Sequence, residues 1–254
     1  MKVKLLSKTQ NMLDVVYTGA RTCYNAGSPI DLFEDIENIS DDKKLKLIKS
    51  CIESGHDSVL EHTQFTFAIE GVSRSLLAQI TRHRISVSFS VQSQRYVNLE
   101  NTFDYVIPNA LQDEDDLQEC FTNAMLQCHE NYKELINKGI KQEDARAVLP
   151  NACCTNMVVT FNLRSLIHLC NLRLCSHAQS EIRQLVKEMV KEVVKVEPWL
   201  KPYLQAKCEV LGFCNEKHRP CGRKPTLEEL KQQWHDAGYE GGYNEAYKKV
   251  KGDK

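Results

Sequence analysis

Two segments set the terms for any fold this chain can adopt. In QFTFAIEGV, Phe65, Phe67 and Ile69 fall on alternate positions, and in TNMVVTFNLR, Met157, Val159 and Phe161 do the same. Alternation is the period of a strand that buries one face. Around these segments the apolar spacing lengthens to that of a helix. Leu45, Ile48, Cys51 and Ile52 lie between Ser40 and Gly55, and Leu117, Cys120, Phe121, Ala124, Cys128, Leu135 and Ile136 run from Asp115 to Lys138. Ile182, Leu185, Val186, Met189, Val190 and Val193 form a stripe that Pro198 ends. Strands mixed with long helices, without regular strand–helix–strand alternation, predict an α+β fold rather than a doubly wound parallel sheet.

Shorter elements complete the outline. KVKLL at 2–6 reads as a first strand, and Ser73 as the cap of a helix through RSLLAQITRHR with Leu76, Leu77 and Ile80 inward. Residues 101–110 are expected to be irregular, with a short helix at 142–148 carrying Arg146 and another at 165–174. The S-x-x-Q of Ser176 to Gln179 resembles a capping box that opens the last long helix.

The length of 254 residues fits one large domain, or one domain with an appendage. The composition changes near 205, where KCEVLGFCNEKHRPCGRKP is rich in Cys and Lys. We therefore divide the chain into a body at 1–205 and a Cys-rich extension at 206–254. Lys plus Arg is 33 and Asp plus Glu is 34. That balance excludes bulk attraction to nucleic acid or anionic membrane, so any anion must be recognised locally. No apolar run has the length of a membrane span, and MKVKLLSKTQ lacks a signal-peptide core. Eleven cysteines without such a signal, two of them adjacent at Cys153 and Cys154, imply reduced thiols in a cytoplasm. Cys208, Cys214, His218 and Cys221 are four soft donors close together. They lack the paired C-x-x-C of ordinary zinc ribbons, so a metal-free cap is expected.

Chemistry concentrates in three stretches. The first is RHRISVSFSVQSQRY. Gln79, Arg82 and His83 would share a helix face, with Arg82, His83 and Arg84 in its last turn. Cations there suit the helix dipole. Two guanidiniums within three residues also suit bidentate capture of a phosphate, and the following hydroxyls with Arg95 could hold a second anion.

The second stretch, GHDSVLEHTQFTF, carries His56, Ser58, Glu61 and His62 without a standard zinc spacing. Its histidines fit either core and capping roles or a cofactor-facing one. The third is RAVLPNACCTNMVVTFNLRSLIHLCNLRLCSHAQSEIR. Asn162 and Arg164 would share a strand face, and Arg173 lies close to His177. Arg146, Arg164, Arg173 and Arg183 stand in mainly apolar surroundings, where buried arginines need anions or carbonyls. The chain has neither G-x-G-x-x-G nor a Walker loop, so side chains must do what backbone amides do in those folds.

Arg82-His83-Arg84, eight residues, then Ser93-Gln94-Arg95 resembles the RHR-x(7 or 8)-S signature of flavin-dependent thymidylate synthases. The other two stretches resemble that family's flanking blocks in the right order, over roughly 1–200. The resemblance implies an α+β protein with a mixed or antiparallel sheet and long helices. It implies a homotetramer with active sites where subunits meet. It implies methylation of dUMP to dTMP, with carbon from methylenetetrahydrofolate, hydride from reduced FAD and NADPH reducing the flavin.

By the same resemblance, His56, Ser58, Arg82, His83, Arg84, Asn162, Arg164, His168 and His177 fall on FAD positions. Gln79, Ser93, Gln94, Arg95, Arg146 and Arg173 fall on dUMP positions, with Arg173 and Ser93 closest to catalysis and Arg173 near the uracil. His168 stands where relatives carry Asn, and Val91 where some carry an acid. On this basis the alternating residues after Arg84 are expected to form an extended binding loop.

Cys153 and Cys154 have no activating base nearby in sequence and read as core residues; Ser93 reads as a dUMP ligand rather than a nucleophile. Two other functions stay open at this stage: a noncatalytic RNA- or nucleotide-binding module, and a flavoprotein with a different acceptor.

Overall fold

The computed structural model of the chain describes residues 1–99, 103–216 and 218–238. The expected extension therefore reaches beyond the described residues at 239–254.

In chain order the elements are β1 (Lys2–Lys8), α1 (Met12–Thr22), α2 (Pro29–Glu34), α3 (Asp41–Glu53), β2 (Gln64–Ser73), α4 (Arg74–Ile80) and β3 (Val87–Val91). There follow α5 (Asp115–Asn137), α6 (Gln142–Ala145), β4 (Cys154–Asn162), α7 (Leu163–Arg173), α8 (Ser180–Val196), α9 (Lys207–Leu211) and α10 (Leu227–Asp236). The four strands form one antiparallel sheet in the order β1-β2-β4-β3. This is an α+β architecture.

The alternating residues do what their period predicts. Phe65, Phe67 and Ile69 of β2 and Met157, Val159 and Phe161 of β4 are buried in a single core. The stripe of α8 joins them, with Ile182, Leu185, Val186, Met189 and Val193 buried. At about 1.5–3 kcal/mol for each fully buried large apolar side chain, this common core dominates the stability of the body. The bulge of β2 at Gly71 needs a left-handed backbone, φ 67°, which glycine adopts without strain.

The helix α1 is an element the spacing could have announced. Met12, Val16, Tyr17 and Ala20 recur at helical intervals and are buried. It is tied to α3 through Lys44, which is only 5% exposed and pairs with Asp14 at 2.6 Å and Asp41 at 3.5 Å.

Four expectations are corrected. First, α4 stops at Ile80, so Arg82, His83 and Arg84 lie beyond the helix rather than in its last turn. Thr81 turns its hydroxyl back to the Leu77 carbonyl at 2.8 Å, and the His83 amide closes a tight turn on Ile80 at 3.1 Å. Second, Val87–Val91 is a strand and not a free loop. It fills the open edge of β4 from Val87 opposite Phe161 to Val91 opposite Met157. Its backbone groups gain ladder partners, and Phe89 meets Phe161 edge-on at 6.3 Å between ring centroids. A left-handed Ser86, φ 53°, makes the reversal into this strand.

Third, β4 ends at Asn162, so Asn162 and Arg164 share no strand face. The Asn162 side chain caps α7 by accepting the Ser165 amide at 2.8 Å. Fourth, Gln179 rather than Ser176 caps α8, its Oε1 accepting the Ile182 amide at 3.1 Å. The Ser176 carbonyl is instead taken by Arg183 Nη1 at 2.7 Å.

Of the expected irregular stretch, residues 101–102 lie outside the described residues, and 103–108 form no helix or strand beyond the bridge of Tyr105 to Cys153. Only Met125 and Tyr132 of the long α5 are buried, while Leu117 and Leu126 stay half exposed. Past 200, α10 begins with a capping box of Thr226 and Glu229, and Leu230, Trp234 and Phe213 form a small separate cluster. No helix among the described residues is long and apolar enough to cross a membrane. All eleven cysteines are free thiols. Among the described residues no three His, Cys, Asp or Glu side chains are grouped to hold a metal ion.

Candidate functional site

The length of α7 and the turn after α4 line a cleft of about 1050 Å³. The turn contributes Arg82, His83 and Arg84, and α7 contributes Arg164, His168 and Arg173, with His177 just beyond it. Seven residues expected at the cofactor or at the uracil are thus brought together from segments some ninety positions apart in sequence. Asp57 and Glu216 also line the cleft.

The cations of this cleft fall into two kinds. Arg164 is paired, its Nη1 lying 2.5 Å from Glu61. Arg82, Arg84 and Arg173 enter no ion pair among the described residues. Three uncompensated guanidiniums at one opening make a site for an anion with several acceptor oxygens.

His83 is the buried residue of this group, at 9% exposure. Its Nε2 accepts a hydrogen bond from Arg173 Nε at 3.1 Å. The imidazole must therefore carry its proton on Nδ1. Burial first, then the nearby charges of Arg173, His168 and Arg82, lowers its pKa to about 4. It is neutral at any ordinary pH. His168 packs edge-on against it with ring centroids 6.0 Å apart. Arg173 also donates from Nη2 to the Gln79 carbonyl at 3.2 Å. On the far side, His177 Nε2 donates to the Arg219 carbonyl at 2.5 Å.

The remaining expected residues lie elsewhere. Asn162, spent on capping α7, does not line the cleft, and neither do the exposed His56 and Ser58, although their neighbours Asp57 and Leu60 do. Gln79 reaches the group through its backbone carbonyl, while its side chain turns to Ser75.

Ser93, Gln94, Arg95 and Arg146 form a second group outside the cleft. Ser93 Oγ accepts the Arg95 amide at 3.1 Å, and Arg95 Nε pairs with Glu143 at 2.7 Å and stacks over Tyr96. Arg146 donates from Nε to the Glu143 carbonyl at 3.1 Å, and Gln94 meets Cys153 Sγ at 3.6 Å. Among the described residues Ser93 has no basic side-chain partner that could activate it. Burial pushes the thiol of Cys153 up and that of Cys154 up to about 11, so neither is a thiolate near neutrality.

The extension contributes residues that sequence reasoning did not place at this site. Lys207, Cys208, Cys214, Asn215 and Cys221 line the same cleft as the arginines. The cysteines were legible only as soft donors of a separate cap, and Lys207 and Asn215 carried no signal beyond the change of composition near 205. Glu181 was also missed. It is buried, and its carboxylate takes both the amide and the hydroxyl of Ser73 at 2.7 and 2.6 Å, fixing the start of α4.

Comparison with known proteins agrees with this geometry. The family model described as "Thymidylate synthase complementing protein" matches residues 4–199. The chain is 41% identical over 241 residues to a flavin-dependent thymidylate synthase of Nitratidesulfovibrio vulgaris, covering 90% of this chain and 97% of that one. It is 39% identical over 246 residues to one from Clostridium tetani, covering 91% and 96%. A third, from Pyrococcus furiosus, is 38% identical over 244 residues, covering 92% and 96%. With a match from residue 4 to residue 199 and near full-length relatives in bacteria and archaea, the chain belongs to the thymidylate synthase complementing protein family.

Proposed function

We propose that this protein is a flavin-dependent thymidylate synthase, methylating dUMP to dTMP with methylenetetrahydrofolate as carbon donor, FAD as cofactor and NADPH as reductant. The observation that carries the proposal is the set of three unpaired guanidiniums, Arg82, Arg84 and Arg173, around one cleft. A cleft of about 1050 Å³ has room for a dinucleotide, and a pyrophosphate supplies the charge these arginines lack. Near-zero net charge speaks against the alternative of a nucleic-acid-binding module.

In this reading Arg82 and Arg84 hold the FAD phosphates, and His168 and His177 flank the bound group. Arg164 reaches it from beside Glu61. His56, Ser58 and Asn162 stand outside the cleft. Bound FAD would supply the hydride; the protein supplies binding, orientation and electrostatics. Arg173 stabilises negative charge on the pyrimidine as its ring is modified. Ser93, Gln94, Arg95 and Arg146 bind dUMP by hydrogen bonds and charge, and no side chain of this chain acts as nucleophile.

The separation of that second group from the cleft supports a homotetramer in which one subunit's 93–95 segment completes a neighbour's site. The family match ending at residue 199 supports a catalytic body at 1–205 with an appended 206–254 segment. Eleven unpaired thiols support a cytoplasmic protein.

Purified protein is expected to be yellow, to contain FAD, and to form dTMP from dUMP only when methylenetetrahydrofolate and NADPH are supplied. A colourless protein that neither binds FAD nor forms dTMP would refute the proposal.

A further inference from the structure

We propose that His83 is a positioning residue for Arg173, acting as a neutral acceptor that fixes the guanidinium without neutralising it. This rests on the proposed function for what Arg173 does, but the arrangement itself is geometric. A guanidinium that must present its full charge to a ligand faces a dilemma. A carboxylate partner would orient it well but cancel its charge and compete with the anion. No partner at all would leave a long side chain free among its rotamers.

The chain takes a third course. Arg173 Nε is bound to His83 Nε2 at 3.1 Å, and Nη2 to the Gln79 carbonyl at 3.2 Å. Both acceptors are uncharged, and both belong to the end of α4 and the turn after it. Two edges of the planar fork are pinned, and Arg173 still lines the cleft. The groups facing His83 keep it in this role. Arg173, Arg82 and His168 surround it, and burial first, then these neighbouring charges, disfavours a second proton. A protonated imidazole would turn its acceptor into a donor aimed at another donor.

The resemblance assigned His83 to the flavin with its two arginine neighbours. Here it is buried in the wall of the cleft, while Arg82 and Arg84 on either side are exposed. The central residue of the triplet thus serves the arginine ninety positions later rather than repeating the work of its neighbours.

The test compares His83→Asn and His83→Gln in the full-length FAD-loaded enzyme. The Gln carbonyl can occupy the place of Nε2, whereas the shorter Asn side chain does not reach it. His83→Asn is expected to lose roughly 10- to 100-fold in kcat/KM for dUMP, the worth of a charge-assisted hydrogen bond. His83→Gln should recover to within about threefold of wild type on the same scale, and FAD affinity should differ little between the two.

Equal turnover in wild type and His83→Asn would overturn the proposal. So would a fall in FAD affinity that parallels the loss of turnover, or a His83→Gln enzyme as damaged as His83→Asn. Wild-type protein that makes no dTMP would instead refute the proposed function. In that case the 15N spectrum of His83 still decides the positioning claim: an unprotonated Nε2 supports it, and a protonated Nε2 contradicts it.

Discussion

The buried lysine of α3 and the arginines of the cleft solve opposite problems with the same sign of charge. Lys44 is enclosed between Asp14 and Asp41, and its charge is spent on joining α1 to α3. Arg164 and Arg95 are likewise matched by Glu61 and Glu143. Arg82, Arg84 and Arg173 have no such partner among the described residues and gather at one opening. Charge that is paired within the chain holds the fold together. Charge left unpaired is available to a ligand, and in Arg173 it is also held in place by neutral acceptors. The net charge of −1 conceals this difference entirely.

The comparison breaks most visibly if the two kinds of cation are removed in turn. Arg173→Ala should lower turnover with dUMP by about 100-fold or more, as loss of a preorganised charge stabiliser does, while thermal unfolding barely shifts. Lys44→Met should do the reverse. Leaving Asp14 without its buried partner costs about 2–3 kcal/mol of stability, read by denaturant unfolding, and the protein that remains folded should bind FAD normally. If Lys44→Met damaged FAD binding as much as Arg173→Ala damages turnover, the division between paired and unpaired cations would fail.

A pH series sharpens the role of His83. Its folded-state pKa, about 4, lies below the ordinary value of 6.5. Between those limits the unfolded chain binds the extra proton, so stability falls as pH drops from about 6.5 to about 4 and is unaffected by this group above 6.5. Wild type should lose about 3 kcal/mol across that window relative to His83→Gln. Parallel curves for the two proteins would mean that the imidazole is not held neutral.

Smaller effects are expected in the second group. Ser93→Ala should weaken turnover by about tenfold, as loss of one hydrogen bond to a charged ligand does, without abolishing it. Complete loss with dUMP still bound would reinstate Ser93 as a nucleophile. Cys154→Ser should leave turnover within about threefold of wild type, since a thiol raised to about 11 is protonated at working pH.

Much of the fold was legible because its strongest elements obey one period throughout. The apolar sets of β2, β4 and α8 fall where their spacing put them, as do Ile48, Cys51 and Ile52 of α3, while Leu47 rather than Leu45 joins the core. The segment 87–91 is instructive. Its alternation pointed to a strand, and the binding-loop expectation that displaced it came from the ligand chemistry of its neighbours. The free edge of β4 is what makes it a strand, and an edge is a property of the assembled sheet.

The end of α4 was misplaced for a similar reason. Basic residues suit a helix terminus, but the Thr81 hydroxyl and the turn at His83 end the helix before they arrive. At the site, the arginines were legible as residue types. Their partners were not. The bonds from Arg173 to His83 and to Gln79 span about ninety positions, and nothing local in either stretch announces them.

The central claim is that the unpaired guanidiniums of Arg82 and Arg84 exist for phosphate, and flavins with and without phosphate test it directly. Affinity for FAD should exceed that for riboflavin by about 100-fold or more, since two charge-assisted hydrogen bonds are worth at least about 3 kcal/mol. The advantage should shrink in the Arg82→Ala, Arg84→Ala double variant and persist in Arg164→Ala. Riboflavin bound within a few-fold of FAD by the wild-type protein would contradict it.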